Sequence, residues 1–330
     1  MAMKEFKNVW ILAEAQRGKL STTAFELLTA GRQLADDLGE KLAAVLLGCD
    51  VEKFADELFA RGADIVYVCE HPSLENYVDD VYAKVLADMV AEYKPNKFLL
   101  PATNMGRSLS AKTAIFVGTG LTADATEVII NKEDGQLHAT RPTFGGNLMA
   151  TITCANTRPE MCSLRPMSYE KALPVSGRKG EIVRFAFNPQ KHTSLAKFLE
   201  YIKTGGDGLD ISEAEIIVAG GRGVGKAEGF DLLRKLAARL GGAVAASRGP
   251  VDSGWIDYRY QIGLTGRTVK PKLYIACGIS GQIQHMAGMS GSDVIVAINK
   301  DPEAPIMKLA HYAVEGDLYE VIPAMLEALK

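Results

Sequence analysis

The 330-residue chain is poor in cysteine and aromatics, nearly balanced in charge, and free of long apolar runs. Each scarcity removes a class of function. The five cysteines, Cys49, Cys69, Cys154, Cys162 and Cys277, are odd in number and no two are spaced as CxxC. That argues against a zinc site or a disulfide framework. Several sit in apolar runs, where a thiol behaves as a small hydrophobe. The five histidines show neither HxH nor HExxH spacing, so no metal site is expected. A formal net charge of −3 gives no electrostatic case for binding nucleic acid or an anionic membrane. No stretch approaches the ~18 uninterrupted apolar residues of a spanning helix, so no membrane insertion is expected. The opening Met-Ala-Met-Lys-Glu-Phe-Lys has neither a signal peptide's apolar core nor the Arg/Ser-rich character of a transit peptide. A soluble cytoplasmic protein is the expectation.

What is present is apolar residue, at 47%, and glycine, at 32 residues. The length suits two ordinary domains. Over roughly the first 130 residues, strand-like runs (9–13, 42–47, 65–68, 97–100) alternate with helix-like stretches (24–38, 53–61, 78–93). Short Val/Ile/Leu-rich strands between amphipathic helices imply βαβ units and a parallel sheet covered on both faces. Gly39 and Gly62 stand where left-handed helix caps belong, and Pro95 bars helix continuation before the fourth strand. From about 126 to 187, five short strands punctuated by Gly, Asn and Pro read as an antiparallel extension of that sheet. A helix over 194–203 precedes Gly205-Gly206-Asp207-Gly208, a flexible connector. The second half resumes strand–helix alternation, with strands expected over 215–219, 273–276 and 294–298 and helices over 230–240, 283–289 and 318–329. The expected fold class is therefore α/β: a doubly wound parallel-sheet domain with an antiparallel extension (1–206), then a smaller Rossmann-like domain (207–330).

Glycine concentrates where second-half strands end, which is where such sheets bind ligands. The run Gly220-Gly221-Arg222-Gly223-Val224-Gly225-Lys226 matches GxxxxGK, but Ala227 replaces the Ser or Thr that a Walker A loop uses for magnesium. As a dinucleotide fingerprint it gives GxGxG, not GxGxxG. A phosphate-cradling turn, with Arg222 adding positive charge, is the better reading; a plain tight turn is the bland one. The next turn, Cys277-Gly278-Ile279-Ser280-Gly281-Gln282, lets backbone approach a ligand at a helix start. Ser280 lacks the GxSxG context of a hydrolase nucleophile, because Gln282 fills the last position. With Ser247-Arg248-Gly249-Pro250, 261–267 and Asn299-Lys300-Asp301, these loops suggest one long ligand with phosphates and a heteroaromatic ring. Composition and spacing leave its identity open.

The stretch Leu273-Tyr-Ile-Ala-Cys-Gly-Ile-Ser-Gly-Gln-Ile-Gln-His-Met-Ala-Gly-Met289, continuing to Asn299-Lys300-Asp301, closely resembles the signature of electron-transfer flavoprotein alpha subunits. Gly220-Gly-Arg-Gly223, Ala246-Ser-Arg248 and Thr265-Gly-Arg-Thr-Val-Lys-Pro-Lys272 fit the same family. So do Gly120-Leu-Thr-Ala-Asp124 and Thr140-Arg-Pro-Thr-Phe-Gly-Gly-Asn147, and the resemblance spans essentially the whole chain. It implies FAD in the second domain, with the first packing on a beta subunit as a heterodimer. Flavin dehydrogenases, acyl-CoA-type or other, would be transient partners. Carried over by position, Arg222, Ser247, Ser280, Gly281, Gln282, Ile283, Gln284, Asn299 and Asp317 would contact phosphates, ribityl chain, ribose or adenine. Arg248, Thr265 and His285 would surround the ring, with Ile262 and Gly263 in the same loop. The Thr265 hydroxyl would lie near N5, and His285 would donate near the C2 carbonyl.

The implied role is an electron relay with no catalytic acid, base or nucleophile, the cofactor carrying the chemistry. A guanidinium cannot deprotonate, so Arg248 would offer a fixed charge beside the reduced ring. A charge-assisted contact of roughly 1.5–3 kcal/mol corresponds to about 60–130 mV for a one-electron couple. Many members have Gln where this chain has Leu264, which removes a possible hydrogen bond near the ring. An electron-bifurcating, NADH-oxidising role with a second flavin in the beta subunit stays open. So does a non-redox adenine-nucleotide-binding subunit; a P-loop hydrolase is weakened by Ala227.

Overall fold

The computed structural model describes residues 5–329 except 17, 144–147, 202–210 and 213. The chain divides into two compact units, 1–201 and 202–330. The glycine connector expected at 205–208 lies outside the described residues.

The first unit runs β1 (Val9–Leu12), a small hairpin of β2 (Ala15–Gln16) and β3 (Lys19–Leu20), α1 (Thr23–Leu38), β4 (Leu42–Gly48), α2 (Ala55–Ala60) and β5 (Ile65–Glu70). It continues through α3 (Asp79–Tyr93), β6 (Lys97–Pro101), α4 (Asn104–Val117), β7 (Leu121–Ala125), β8 (Glu127–Ile130), β9 (Leu137–Thr143), β10 (Leu148–Ile152), β11 (Glu160–Leu164) and β12 (Glu181–Arg184). Seven strands form one sheet in the order β12-β5-β4-β1-β6-β11-β7, and every pairing in it is parallel. Strand alternation explains the two-sided core. Val9 and Ile11 of β1 meet Leu27, Leu28 and Leu34 of α1 on one face. Trp10 and Leu12 meet Val85, Leu86 and Met89 of α3 on the other. Each such fully buried side chain contributes on the order of 1.5–3 kcal/mol. The caps follow sequence: α1 stops at Gly39, which adopts φ 64.

The five strands expected as an antiparallel extension divide between two sheets. Only β8, β9 and β10 are antiparallel, in a separate sheet of order β10-β9-β8. The segments near 161–165 and 181–187 instead extend the parallel sheet, as β11 beside β6 and β12 beside β5. β11 is buried at all five positions, the mark of a central parallel strand. The helix expected over 194–203 does not form across its described residues, 194–201. Leu195 and Leu199, which would have supplied its apolar stripe, are exposed, and a helix this short is marginal without packing.

The second unit is a five-stranded, all-parallel sheet of order β14-β13-β15-β16-β17. Its elements are β13 (Ile216–Gly220), α5 (Phe230–Leu240), β14 (Ala243–Ala246), α6 (Arg248–Asp252), β15 (Leu273–Cys277), α7 (Ile283–Met286), β16 (Val294–Asn299), α8 (Pro305–Leu309), β17 (Tyr312–Glu315) and α9 (Leu318–Ala328). From β13 the chain steps to β14 on one side and later to β15 on the other. Strand order therefore reverses between β13 and β15, and a crevice opens beyond their carboxyl ends. Among the described residues no helix is long and apolar enough to cross a membrane, and no cluster of three or more metal-ligating side chains occurs.

The first unit has a comparable reversal between β1 and β6. Glu14, two residues past β1, is 6% exposed there and accepts the Thr103 hydroxyl at 2.6 Å beside the first turn of α4. Burial pushes its carboxyl up to about 7 from an ordinary value near 4.5. The unfolded chain ionises first, so stability falls as pH rises between those two values and is constant above. A shift of that size corresponds to about 3 kcal/mol. Glu14→Gln should flatten this decline. Urea unfolding at pH 5 and pH 8 should show wild type losing more stability across the interval than the variant.

Candidate functional site

Two turns meet backbone to backbone at the crevice. Gly221 N–H donates to the Cys277 carbonyl at 2.9 Å and Gly223 N–H to the Gly278 carbonyl at 3.0 Å. A Cβ on Gly221 would lie 2.2 Å from the Gly278 oxygen, and one on Gly223 2.7 Å from the Gly278 Cα. Glycine is thus needed at both positions for the turns to approach. The crevice continues into a cleft of about 810 Å³ walled entirely by second-unit residues.

The strand-end loops furnish its walls. Arg222 and Gly223 follow β13; Ser247, Arg248 and Asp252 follow β14; 278–282 follow β15; Asn299 and Asp301 follow β16. The far wall is the 261–265 segment with Gln284 and His285 of α7. Of the residues expected to form the site, all but Ile283 and Asp317 line this cleft. Ile283 begins α7 with its side chain 43% exposed. Asp317 caps α9, accepting Tyr319 N–H at 2.9 Å, and pairs with Lys300 at 2.8 Å. That contact with Lys300 holds its carboxyl below the usual range.

The polar groups facing the cleft favour an anion at one end. Among the described residues, the backbone N–H groups of Ser280, Gly281 and Gln282 have no hydrogen-bond acceptor in the protein, and Arg222 has no carboxylate partner. Three consecutive free donors beside a cation form an anion-binding concavity. Arg248 is differently placed: its Nε donates to Asp252 at 3.0 Å, one turn later on α6. Both side chains are more than half exposed. Asn299 shapes the cleft, donating to the Ile279 carbonyl at 2.8 Å and accepting Asp301 N–H at 3.0 Å.

His285 lines the cleft, and both of its ring nitrogens meet protein partners. Its ring is 6% exposed, with Nδ1 3.1 Å from the Ile262 carbonyl and Nε2 3.0 Å from the Tyr274 hydroxyl. The Ile262 carbonyl can only accept, so Nδ1 carries the proton and Nε2 accepts from Tyr274. Both nitrogens are spent inside the protein, and the ring has no spare N–H to donate to a ligand. His285 is a brace joining α7, β15 and the 261–267 loop. The sequence around it gave no sign of this, because Tyr274 looks like an ordinary strand residue. Gln261 and Asp252 were also passed over as site residues. Their signal was spacing: each stands four residues from a singled-out neighbour, Thr265 and Arg248.

Burial pushes the His285 imidazole down to about 4 from an ordinary 6.5, so it is neutral at physiological pH. On acidification the unfolded chain binds this proton first, and stability falls as pH drops from about 6.5 to about 4. Tryptophan-monitored unfolding of Trp255 at pH 7 and pH 4.5 should show this loss. His285→Gln should lower stability at pH 7 by roughly 1–3 kcal/mol through its unpaired partners, and should weaken the acid-limb slope.

Residues 9–190 match the family profile described as electron transfer flavoprotein domain, and 210–290 match the electron transfer flavoprotein FAD-binding domain. An electron transfer flavoprotein subunit alpha of Thermoanaerobacterium thermosaccharolyticum is 48% identical, the match covering 99% of both chains. The subunit alpha of Megasphaera elsdenii is 47% identical over all of this chain and 98% of that one. A subunit of Acetobacterium woodii named LctC, of lactate dehydrogenase (NAD(+),ferredoxin), is 41% identical over 98% of this chain and 77% of that one. With both units matched in order and full-length relatives near half identity, the chain belongs to the electron transfer flavoprotein alpha subunits.

Proposed function

We propose that this chain holds FAD in the second-unit cleft and, as a heterodimer with a beta subunit, relays electrons one at a time between a dehydrogenase and an acceptor. The observation that carries the reading is the anion cradle: three backbone N–H groups at 280–282 and Arg222, all without a protein partner among the described residues, beside the backbone contact of Gly221 and Gly223. That donor set fits the pyrophosphate of a dinucleotide, and the cleft's size is in the range that buries most of a small ligand. When bound, the flavin supplies the redox chemistry. This chain's residues bind and tune. Ser247, Ser280 and Gln282 offer polar contacts along the cleft, and Arg248 supplies positive charge moderated by Asp252. His285 stays neutral and holds the 261–267 loop, so it moves no proton.

A partner surface is also available. β10 is an edge strand among the described residues, with Leu148, Met149 and Ile152 exposed. An unpaired, apolar edge invites another chain, which supports docking of the beta subunit on the first unit. The likeness to LctC favours one finer reading, an NADH-dependent bifurcating complex. That requires a second flavin outside this chain and is decided by counting FAD per heterodimer and testing for reduction by NADH.

Co-expression with a beta subunit should give a yellow complex that takes up electrons stepwise during reductive titration. A colourless complex, or one containing only ATP or NAD, would reject the proposal in favour of a non-redox nucleotide-binding subunit. Arg222→Ala should weaken FAD at least 10-fold, the loss of one charge-assisted contact of roughly 1.5–3 kcal/mol, measured by flavin fluorescence on titrating the apo complex. Leu264, 48% exposed in the cleft wall, makes no side-chain hydrogen bond; Leu264→Gln should shift the flavin midpoint potential, and an unchanged titration curve would reject that role.

A further inference from the structure

Gln261 is 3% exposed, yet it lines the cleft. Its Nε2 donates to the Thr265 hydroxyl oxygen at 3.0 Å. Thr265 is exposed at the cleft wall, and its carbonyl accepts the Tyr258 hydroxyl. The turn between them is rigid by construction. Gly266 N–H donates to the Gly263 carbonyl at 3.0 Å and Arg267 N–H to the Gln261 carbonyl at 2.8 Å. Gly263 adopts φ 142, and a Cβ on Gly266 would lie 2.4 Å from the Gln261 oxygen. On the far side, His285 grips the Ile262 carbonyl and Leu264 N–H donates to the Gln284 carbonyl at 2.8 Å. The Gln261–Thr265 contact is therefore set by the turn and not by a ligand.

A hydroxyl has one proton and two acceptor positions. With the Gln261 amide N–H directed at the Thr265 oxygen, the Thr265 proton must turn away from Gln261. Among the described residues no protein acceptor takes it, and the open side is the cleft. We infer that Gln261 is a positioning residue that aims the Thr265 hydroxyl proton at a hydrogen-bond acceptor of the ligand, a ring nitrogen or carbonyl oxygen of a heteroaromatic system. The inference rests on the flavoprotein reading and adds a directed donor to it. Preorganisation of this kind removes the cost of turning the hydroxyl when the ligand arrives.

The test is a double-mutant cycle in the heterodimer, using Gln261→Met and Thr265→Val, both close in volume to the native side chains. FAD affinity is measured by titrating the apo complex, and the position of the lowest-energy flavin absorption band is read in the same samples. Each single variant should weaken FAD roughly 5-fold, the effect of one neutral hydrogen bond, and displace the band. The double variant should match Thr265→Val alone, because Gln261 acts through the Thr265 hydroxyl. Thr265→Ser keeps the hydroxyl and should behave as wild type. If Gln261→Met lowers the apo complex's melting temperature, Gln261→Glu replaces it. The isosteric carboxylate cannot donate and should draw the proton toward itself, with the same loss and displacement. A Gln261 effect that persists undiminished in the Thr265→Val background would make the residue a loop brace only and overturn the inference. So would a Gln261 variant with wild-type affinity and band. A wild-type heterodimer that takes up no FAD overturns the flavoprotein reading itself, a result separate from either.

Discussion

The cleft exists because two turns touch without side chains between them. Gly221 and Gly223 press on Gly278, and a methyl at either position would drive the turn after β13 away from the turn after β15. That contact lies where strand order reverses, so it fixes the floor of the crevice and the direction of the chain leaving each strand. The chain after β15 then runs past with three N–H groups that no acceptor among the described residues takes. A side chain at Gly221 would thus disturb the proposed site from outside the cleft lining, by moving the donors. This is the physical sense in which glycine belongs to the site.

The opposite wall depends on a buried neutral imidazole. The 261–267 loop has little apolar content of its own, and Ile262 is the residue that anchors it in the core. His285 adds the polar anchor, taking a hydroxyl from β15 and giving an N–H to the loop carbonyl. Such a pair works only if the ring stays uncharged, and burial ensures it. The loop can therefore carry exposed Leu264 and Thr265 into the cleft while its backbone stays fixed. The positive charge of the cleft comes from Arg222, which has no carboxylate partner among the described residues, and from Arg248, which is tethered to Asp252.

How much of this the sequence revealed depended on whether a signal was local. Strand-end glycines, left-handed caps and Val/Ile-rich central strands are local, and they located the sheets and nearly the whole cleft lining. Elements whose identity comes from distant packing were lost. α4, with Asn, Ser and Thr scattered through 104–117, has no clean apolar stripe, and β14 (Ala-Val-Ala-Ala) carries little strand preference. β17 is mostly exposed at the sheet edge and lacks the buried run that marks its neighbours. The 194–203 segment had a helical pattern, but in its described part, 194–201, Leu195 and Leu199 stay exposed. β11 was expected antiparallel but runs parallel in the first sheet, because its neighbour in space, β6, lies some sixty residues earlier. The partners of His285 were hidden for the same reason: motif identity brought it to the cleft, but its hydrogen bonds to Tyr274 and Ile262 join residues 11 and 23 positions away.

The two units make opposite use of the same architecture. Each has a parallel sheet whose order reverses beside its first strand, and each reversal faces the start of the segment after the neighbouring strand. In the first unit Glu14 fills that place: its carboxyl accepts the Thr103 hydroxyl at the first turn of α4, where the helix start favours negative charge. A buried acid at this point opposes an incoming phosphate on both steric and electrostatic grounds. In the second unit the corresponding strand end is Gly220, followed by Gly221 and Arg222, so a cation stands at the strand end where the first unit has Glu14, and the carboxylates of the cleft, Asp252 and Asp301, come from other loops. One acidic residue against one glycine pair separates an edge closed on itself from an edge open to an anion. That contrast supports the proposed ligand site in the second unit on the chain's own chemistry.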